Sequence, residues 1–136
     1  MCRLILVLIA LLALCACASS RRDHALTDTL NAYASTVRWG DFRTALNFVD
    51  PDALAKHPLS NLDLARYQQL RVSDYNDDQG PRVTGENEVR QMVAINVVNI
   101  HTQTERSIVD QQVWHYDPQK KRWWLISGLP KIFGEE

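Results

Sequence analysis

Glu88-Val89-Arg90-Gln91-Met92-Val93-Ala94-Ile95-Asn96-Val97-Val98-Asn99-Ile100-His101 is rich in Val and Ile and contains neither Gly nor Pro. Such a run reads as one long strand. Both of its alternation sets are apolar at the centre: Val89, Val93, Ile95 and Val97 on one face, Met92, Ala94, Val98 and Ile100 on the other. A sheet built on it must therefore curl or be covered. Three further segments alternate in the same way, Ala65 to Tyr75, Thr104 to Tyr116 and Arg122 to Ser127. They are separated by Asn76-Asp77-Asp78-Gln79-Gly80-Pro81, Thr102-Gln103 and Asp117-Pro118-Gln119-Lys120, all of which carry turn chemistry.

Upstream the period changes. Leu26, Leu30, Tyr33, Ala34 and Val37 recur at three and four, the mark of an amphipathic helix, with Asp23 or Thr27 as its N-cap. Gly40 closes that helix and Asp41 caps a second, in which Phe42, Ala45, Leu46 and Val49 share a face. Asp50-Pro51-Asp52 stops the second and starts a short third helix, Asp52 to Lys56, which ends before Pro58. Helices first and an antiparallel meander afterwards predict an α+β domain, a broken N-terminal helix packed on a curved four-stranded antiparallel sheet.

The N-terminus stands apart from this domain. Fifteen of the first sixteen residues are hydrophobic, Arg3 being the exception. Without them the chain carries 14 Lys+Arg against 16 Asp+Glu, a net charge near −2 that offers no basic field to nucleic acid. The 136 residues supply one core, which excludes a multidomain enzyme, a polytopic membrane protein and a disordered chain. Met1-Cys2-Arg3, the apolar run Leu4 to Leu14 and the small residues up to Ser20 have the layout of a secretory signal. Leu4 to Ala18 supplies 15 residues, short of the roughly 20 that span a bilayer.

Leu14-Cys15-Ala16-Cys17 resembles the lipobox of bacterial lipoproteins, with Cys15 where Ala, Ser or Thr is more usual. The resemblance implies a signal peptide over residues 1–16, diacylglycerol on the Cys17 sulfur, cleavage before Cys17 and N-acylation of the new terminus, as with palmitate. Ala18 after the Cys implies sorting to the outer membrane, with the domain on the periplasmic side. The competing pattern is Ala16-Cys17-Ala18, which ordinary signal peptidase would cut before Ser19 to release a soluble periplasmic protein. All three Cys, at 2, 15 and 17, lie in or beside the signal, so the mature domain holds no internal disulfide. A lone Cys at the start of an exported chain calls for a partner or a modification. Residues 17–23 would form a short tether and residues 24–136 the domain.

The order of elements from residue 24 to 133, with Trp39-Gly40-Asp41-Phe42 and Asp50-Pro51, resembles the nuclear transport factor 2-like superfamily of cystatin-like cones. The short strand usual among the helices of such domains is not evident. The resemblance implies a cone whose mouth holds Asp, Tyr or His in the catalytic members and a binding site in many others. Gln111, His115 and Asn99, opposite Tyr33 or Asp41, are the polar residues that would line a cavity; Asp110 shares the other strand face with Trp114 and Tyr116.

No catalytic constellation stands out. The four His, at 24, 57, 101 and 115, show no metal-ligand spacing, and no phosphate-binding or nucleophile motif occurs. No metal or cofactor is expected. Lys120-Lys121-Arg122-Trp123-Trp124 reads either as a surface for anionic headgroups or glycan, or as a solvated hairpin with at least one Trp in the core. Trp114 and Trp124, of one parity with Tyr116 and Ile126, are expected as cross-strand neighbours, and Trp39, Phe42 and Phe48 as the docking residues of the helices. The expectation is a membrane-anchored, non-catalytic domain that binds a periplasmic protein or small ligand. The alternatives are an acid/base enzyme with a ketosteroid-isomerase-like pocket and a periplasmic immunity or inhibitor lipoprotein.

Overall fold

The computed structural model describes the backbone of residues 2–133 and the side chains of residues 18–133. The first helix, α1 (Cys2–Arg38), is longer than its amphipathic stretch and runs through the segment expected as a tether. Nothing between Cys2 and Arg38 breaks it, since neither Gly nor Pro occurs there. Asp23 and Thr27 are consequently interior to the helix instead of capping it, and the Thr27 hydroxyl donates to the Asp23 carbonyl. Gly40 ends it as expected, with φ +72° and its N–H on the Val37 carbonyl.

Asp41 accepts from the Thr44 N–H and caps α2 (Phe42–Ala45), which tightens into a 3-10 turn at Leu46–Phe48. Asp50 accepts from the N–H groups of Asp52 and Ala53 and caps α3 (Pro51–Lys56), with Pro51 at its first turn. Between them Val49 makes a one-residue parallel bridge to Leu125.

Residues 65–68 are helical, contrary to the strand expected there. They belong to α4 (Asn61–Gln68), and the strand β1 starts only at Leu70 (Leu70–Asn76). A capping box explains the change: Ser60 Oγ accepts from the Asp63 N–H while the Asp63 carboxylate accepts from the Ser60 N–H. No β-branched residue occurs from Leu59 to Gln68, which leaves helix the easier local state. Ser60→Ala is expected to lower the unfolding free energy by about 1 kcal/mol, read from urea denaturation.

A short strand not foreseen, β2 (Arg82–Gly85), is followed by β3 (Glu88–Asn99), β4 (Glu105–Asp117) and β5 (Arg122–Leu125). The path is β1-β3-β4-β5, all antiparallel, and β2 pairs with the beginning of β3 beyond the 77–81 loop. The curled sheet wraps one face around α1. Along β3 the odd residues Val89, Gln91, Val93, Ile95 and Val97 are buried, whereas Met92 and Ala94 are exposed. The second apolar set of β3 is thus left on the outer face, with Met92, Ala94 and Ile100 exposed and Val98 half-buried.

The core joins Leu30, Tyr33, Ala34 and Val37 of α1 to Val93, Ile95, Trp114, Trp123 and Leu125 of the sheet. The register pairs Trp114 with Leu125 and Tyr116 with Trp123, so even positions of β4 share a face with odd positions of β5. Trp123 is therefore the core tryptophan of β5, and Trp124 lies on the opposite face from Trp114, not beside it. Trp39 does not dock a helix, being 86% exposed; Phe42 is buried and packs on Tyr67 at 4.8 Å between centroids. This α+β arrangement, a helix held in a curled antiparallel half-barrel, is consistent with a nuclear transport factor 2-like cone.

Candidate functional site

The polar groups inside the cone come from one face of β4 and the strands beside it. Asp110 and Gln112 are buried on β4, and Gln91 faces in from β3 opposite Gln112. Gln112 is the hub. Its amide nitrogen donates to the Tyr75 hydroxyl at 3.1 Å and to Asp110 Oδ2 at 2.9 Å. Its amide oxygen accepts from Trp114 Nε1 at 3.2 Å, so both donors and the acceptor are in use. Tyr33 enters from α1, its ring edge-on to Trp114 at 5.2 Å and to Phe48 at 5.5 Å.

Burial pushes the Asp110 carboxyl up to about 6, and the Gln112 hydrogen bond pulls in the opposite direction without cancelling it. Burial, then the Asp110 charge, raises Tyr33 well above the ordinary phenol value. Tyr67 and Tyr75 are pushed up to about 12, mainly by burial. All three phenols are thus neutral at physiological pH, while one carboxyl among them titrates near neutrality. That is an arrangement with acid/base capacity. The Tyr33 hydroxyl is buried without a hydrogen-bonding partner among the described residues. Tyr33→Phe is accordingly expected to raise stability by about 1 kcal/mol, since a buried hydroxyl lacking a partner costs more than it contributes; a thermal melt reads the change.

The residues singled out from the sequence do not converge. Tyr33 alone is inside. Asp41 is exposed at the α2 N-cap, where hydrogen bonds to Thr44 hold its carboxyl below the usual range. His115 and Gln111 are exposed on the outer face, opposite Glu88 and Met92 respectively. Asn99 ends β3, its side-chain oxygen accepting from the N–H groups of His101 and Thr102. The inward face of β4 is the one bearing Asp110, Trp114 and Tyr116. Two bulky aromatics on that parity were the available signal, because the face that carries them is the face that buries most apolar area.

Two clefts flank the core. One of about 190 Å³ is mainly apolar, lined by Leu46, Val49, Leu54, Leu59, Tyr67 and Leu129, with His57 also on its wall. The other, of about 240 Å³, lies where β2 and the 77–81 loop meet β3, and is lined by Arg82, Arg90, Met92, Gln79 and Gln111. Arg82 and Arg90 are direct cross-strand partners, and two guanidinium groups with neighbouring amides suit a carboxylate or phosphate. Gln91 and Gln112 also line the second cleft, which brings it against the interior cluster, while Asp110, Tyr33 and His115 line neither.

The end of the cone nearest the N-terminus is tied together by Arg22. Its carbonyl accepts from Trp123 Nε1 at 3.2 Å, and its guanidinium donates to the Glu86 carbonyl at 3.1 Å. On the outer face of β5, Arg122 stacks over the Trp124 ring at 4.0 Å and Lys120 Nζ stands 5.5 Å from the same ring. The side chain of Cys17, the proposed acylation site, lies outside the described side chains. Among the described residues no group of three metal-binding side chains forms, and no helix is long and apolar enough to cross a membrane.

No family model matches the chain, and no similar curated protein or solved structure was found.

Proposed function

We propose that this chain is a bacterial lipoprotein, acylated at Cys17 and held at the periplasmic leaflet of the outer membrane, whose cone is a non-catalytic binding domain. The observation that carries the reading is the position of Arg22. The lipobox-like Leu14-Cys15-Ala16-Cys17 ends five residues before the point at which α1 is fastened to two hairpins of the sheet. The folded domain therefore begins almost where a lipid attachment would end. Binding in preference to catalysis is supported by the way Trp114 and Tyr33 fill the interior while Asp110 and Trp114 occupy the Gln112 amide.

The test is the intact mass of the protein recovered from separated membrane and soluble fractions, with and without Cys17→Ser. The expected result is a lipid-bearing chain starting at Cys17 in the outer-membrane fraction, and loss of both the added mass and the membrane retention in the variant. An unmodified chain starting at Ser19 in the soluble fraction would overturn the anchor and favour a soluble periplasmic protein.

A second reading, an acid/base enzyme, draws on Asp110, a buried carboxyl with its value near neutrality beside Tyr33 and Tyr75. An NMR fragment screen separates the two. Shifts gathered on Asp110, Tyr33 and Tyr75 would favour the enzyme, and shifts gathered on Arg82, Arg90 and Gln111 the binding domain.

A further inference from the structure

We propose that the end of the cone formed by Arg21, Arg22 and the β4–β5 hairpin lies against the bilayer and binds its anionic headgroups, holding the domain in one orientation. The proposal rests on the lipoprotein reading for its anchor and on three independent features of the fold for its surface.

The first feature is proximity. Residues distant in sequence meet at this end: Trp123 bonds to Arg22, Arg22 to the β2–β3 turn at Glu86, and the Tyr116 N–H to the Asn87 carbonyl. The Lys120-Lys121-Arg122 run thereby sits at the same end as the start of the domain.

The second is reach. From Cys17 to Arg22 the chain spans about 8 Å as helix at roughly 1.5 Å per residue, and about 17 Å if drawn out fully. A domain of this length has a radius of gyration of roughly 13 Å and so a diameter above 30 Å. A tether shorter than the domain is wide keeps the Arg22 end near the membrane and prevents the opposite end from turning to it.

The third is charge. Arg21, Lys120, Lys121 and Arg122 are exposed and Arg22 is half-buried; among the described residues the acidic ones of this end are Asp23, Glu86 and Asp117. Asp117 is turned into its own hairpin, accepting from the N–H groups of Gln119 and Lys120, and the next carboxylate, Glu88, is bound by Arg90. This end is therefore positive by about two charges in a domain that is negative by about two, so an anionic surface attracts it and repels the remainder. Trp124, flanked by Lys120 and Arg122, supplies an amphipathic ring of the kind that settles at the headgroup level. Lys121 adopts φ +52°, a backbone conformation that Gly or Asn takes more readily, and so a charged side chain stands at a turn position where a smaller residue would cost less.

The experiment uses the full protein extracted from membranes and returned to vesicles of phosphatidylcholine, with or without phosphatidylglycerol. Amine-reactive labelling read by mass spectrometry compares Lys120 and Lys121 with Lys56, which is exposed on α3. The expected result is several-fold protection of Lys120 and Lys121 in phosphatidylglycerol vesicles, relieved by high salt, with Lys56 unchanged. Equal labelling of all three lysines in both vesicles would overturn the proposal. If the intact mass shows no acyl group, the lipoprotein reading fails separately, and co-sedimentation of the unacylated chain with phosphatidylglycerol vesicles decides the surface alone. Binding that weakens roughly five-fold for each of Lys120→Gln and Lys121→Gln, and not for Arg71→Gln, upholds it; no binding, or equal loss at Arg71, overturns it.

Discussion

Replacing Trp114 by alanine lowers the unfolding free energy by about 3–5 kcal/mol, the range for a large aromatic removed from a packed core. Trp114 is fully buried, meets Tyr33 edge-on at 5.2 Å, and donates its indole N–H to Gln112. The substitution therefore leaves a cavity between α1 and β4 and also removes the donor that satisfies the Gln112 amide oxygen. That oxygen belongs to the residue that holds Asp110 and Tyr75, so the loss spreads through the whole interior cluster. Urea denaturation of the wild-type and variant domains measures it. A loss under about 1 kcal/mol would mean that the cone interior collapses around the gap, contrary to close packing.

Asp110→Asn is expected to do the opposite, and only above acidic pH. The carboxyl is raised by burial from its ordinary value near 3.8 to about 6 in the folded protein. Below about pH 3 it is neutral in both folded and unfolded chains and has no effect. Between about 4 and 6 the folded chain keeps a proton that the unfolded chain gives up, so stability falls as pH rises across that window. At pH 8 the accumulated cost is roughly 3 kcal/mol, taking 1.36 kcal/mol for each unit of displacement. Asparagine carries no charge and still offers an oxygen to the Gln112 N–H. The variant should gain up to about 3 kcal/mol at pH 8 and almost nothing at pH 3, flattening the profile between them. A gain of the same size at both values would show that packing, not the buried charge, is responsible. Retention of an unfavourable carboxylate here is the feature that keeps the acid/base reading in play, and a variant that binds or acts as the wild type does would remove that support.

Much of the architecture could be read from local pattern. The long β3, its partner β4, the breaks at Gly40 and Asp50-Pro51 and the helix-before-sheet order all follow from side-chain period and turn chemistry, which act over a few residues. The helical state of residues 65–68 is also local: Ser60 and Asp63 carry its signal, and the strand begins only at Leu70. β2 leaves little trace in the sequence, because four exposed residues next to a loop carry little periodicity.

The candidate site was far less legible. A strand states which residues share a face but not which face is inside, and a shift of one position exchanges them all. On β4 that choice sends Asp110, Gln112 and Trp114 inward and Gln111 and His115 to solvent; on β5 the register across the hairpin makes Trp123, not Trp124, the buried ring.

The sequence by itself determined the class of fold, the positions of most helices and strands and the apolar run ahead of them, because each is written in adjacent residues. Only the tertiary structure decided that Gln112 gathers Asp110, Tyr75 and Trp114 into one buried cluster, and that Arg22 meets Trp123 and Glu86. Those contacts depend on how the sheet curls and in which register its strands pair. No short stretch of chain contains that information, since Tyr75 lies 37 residues from Gln112, and Arg22 lies 64 from Glu86 and 101 from Trp123, and they become neighbours only when the whole core closes.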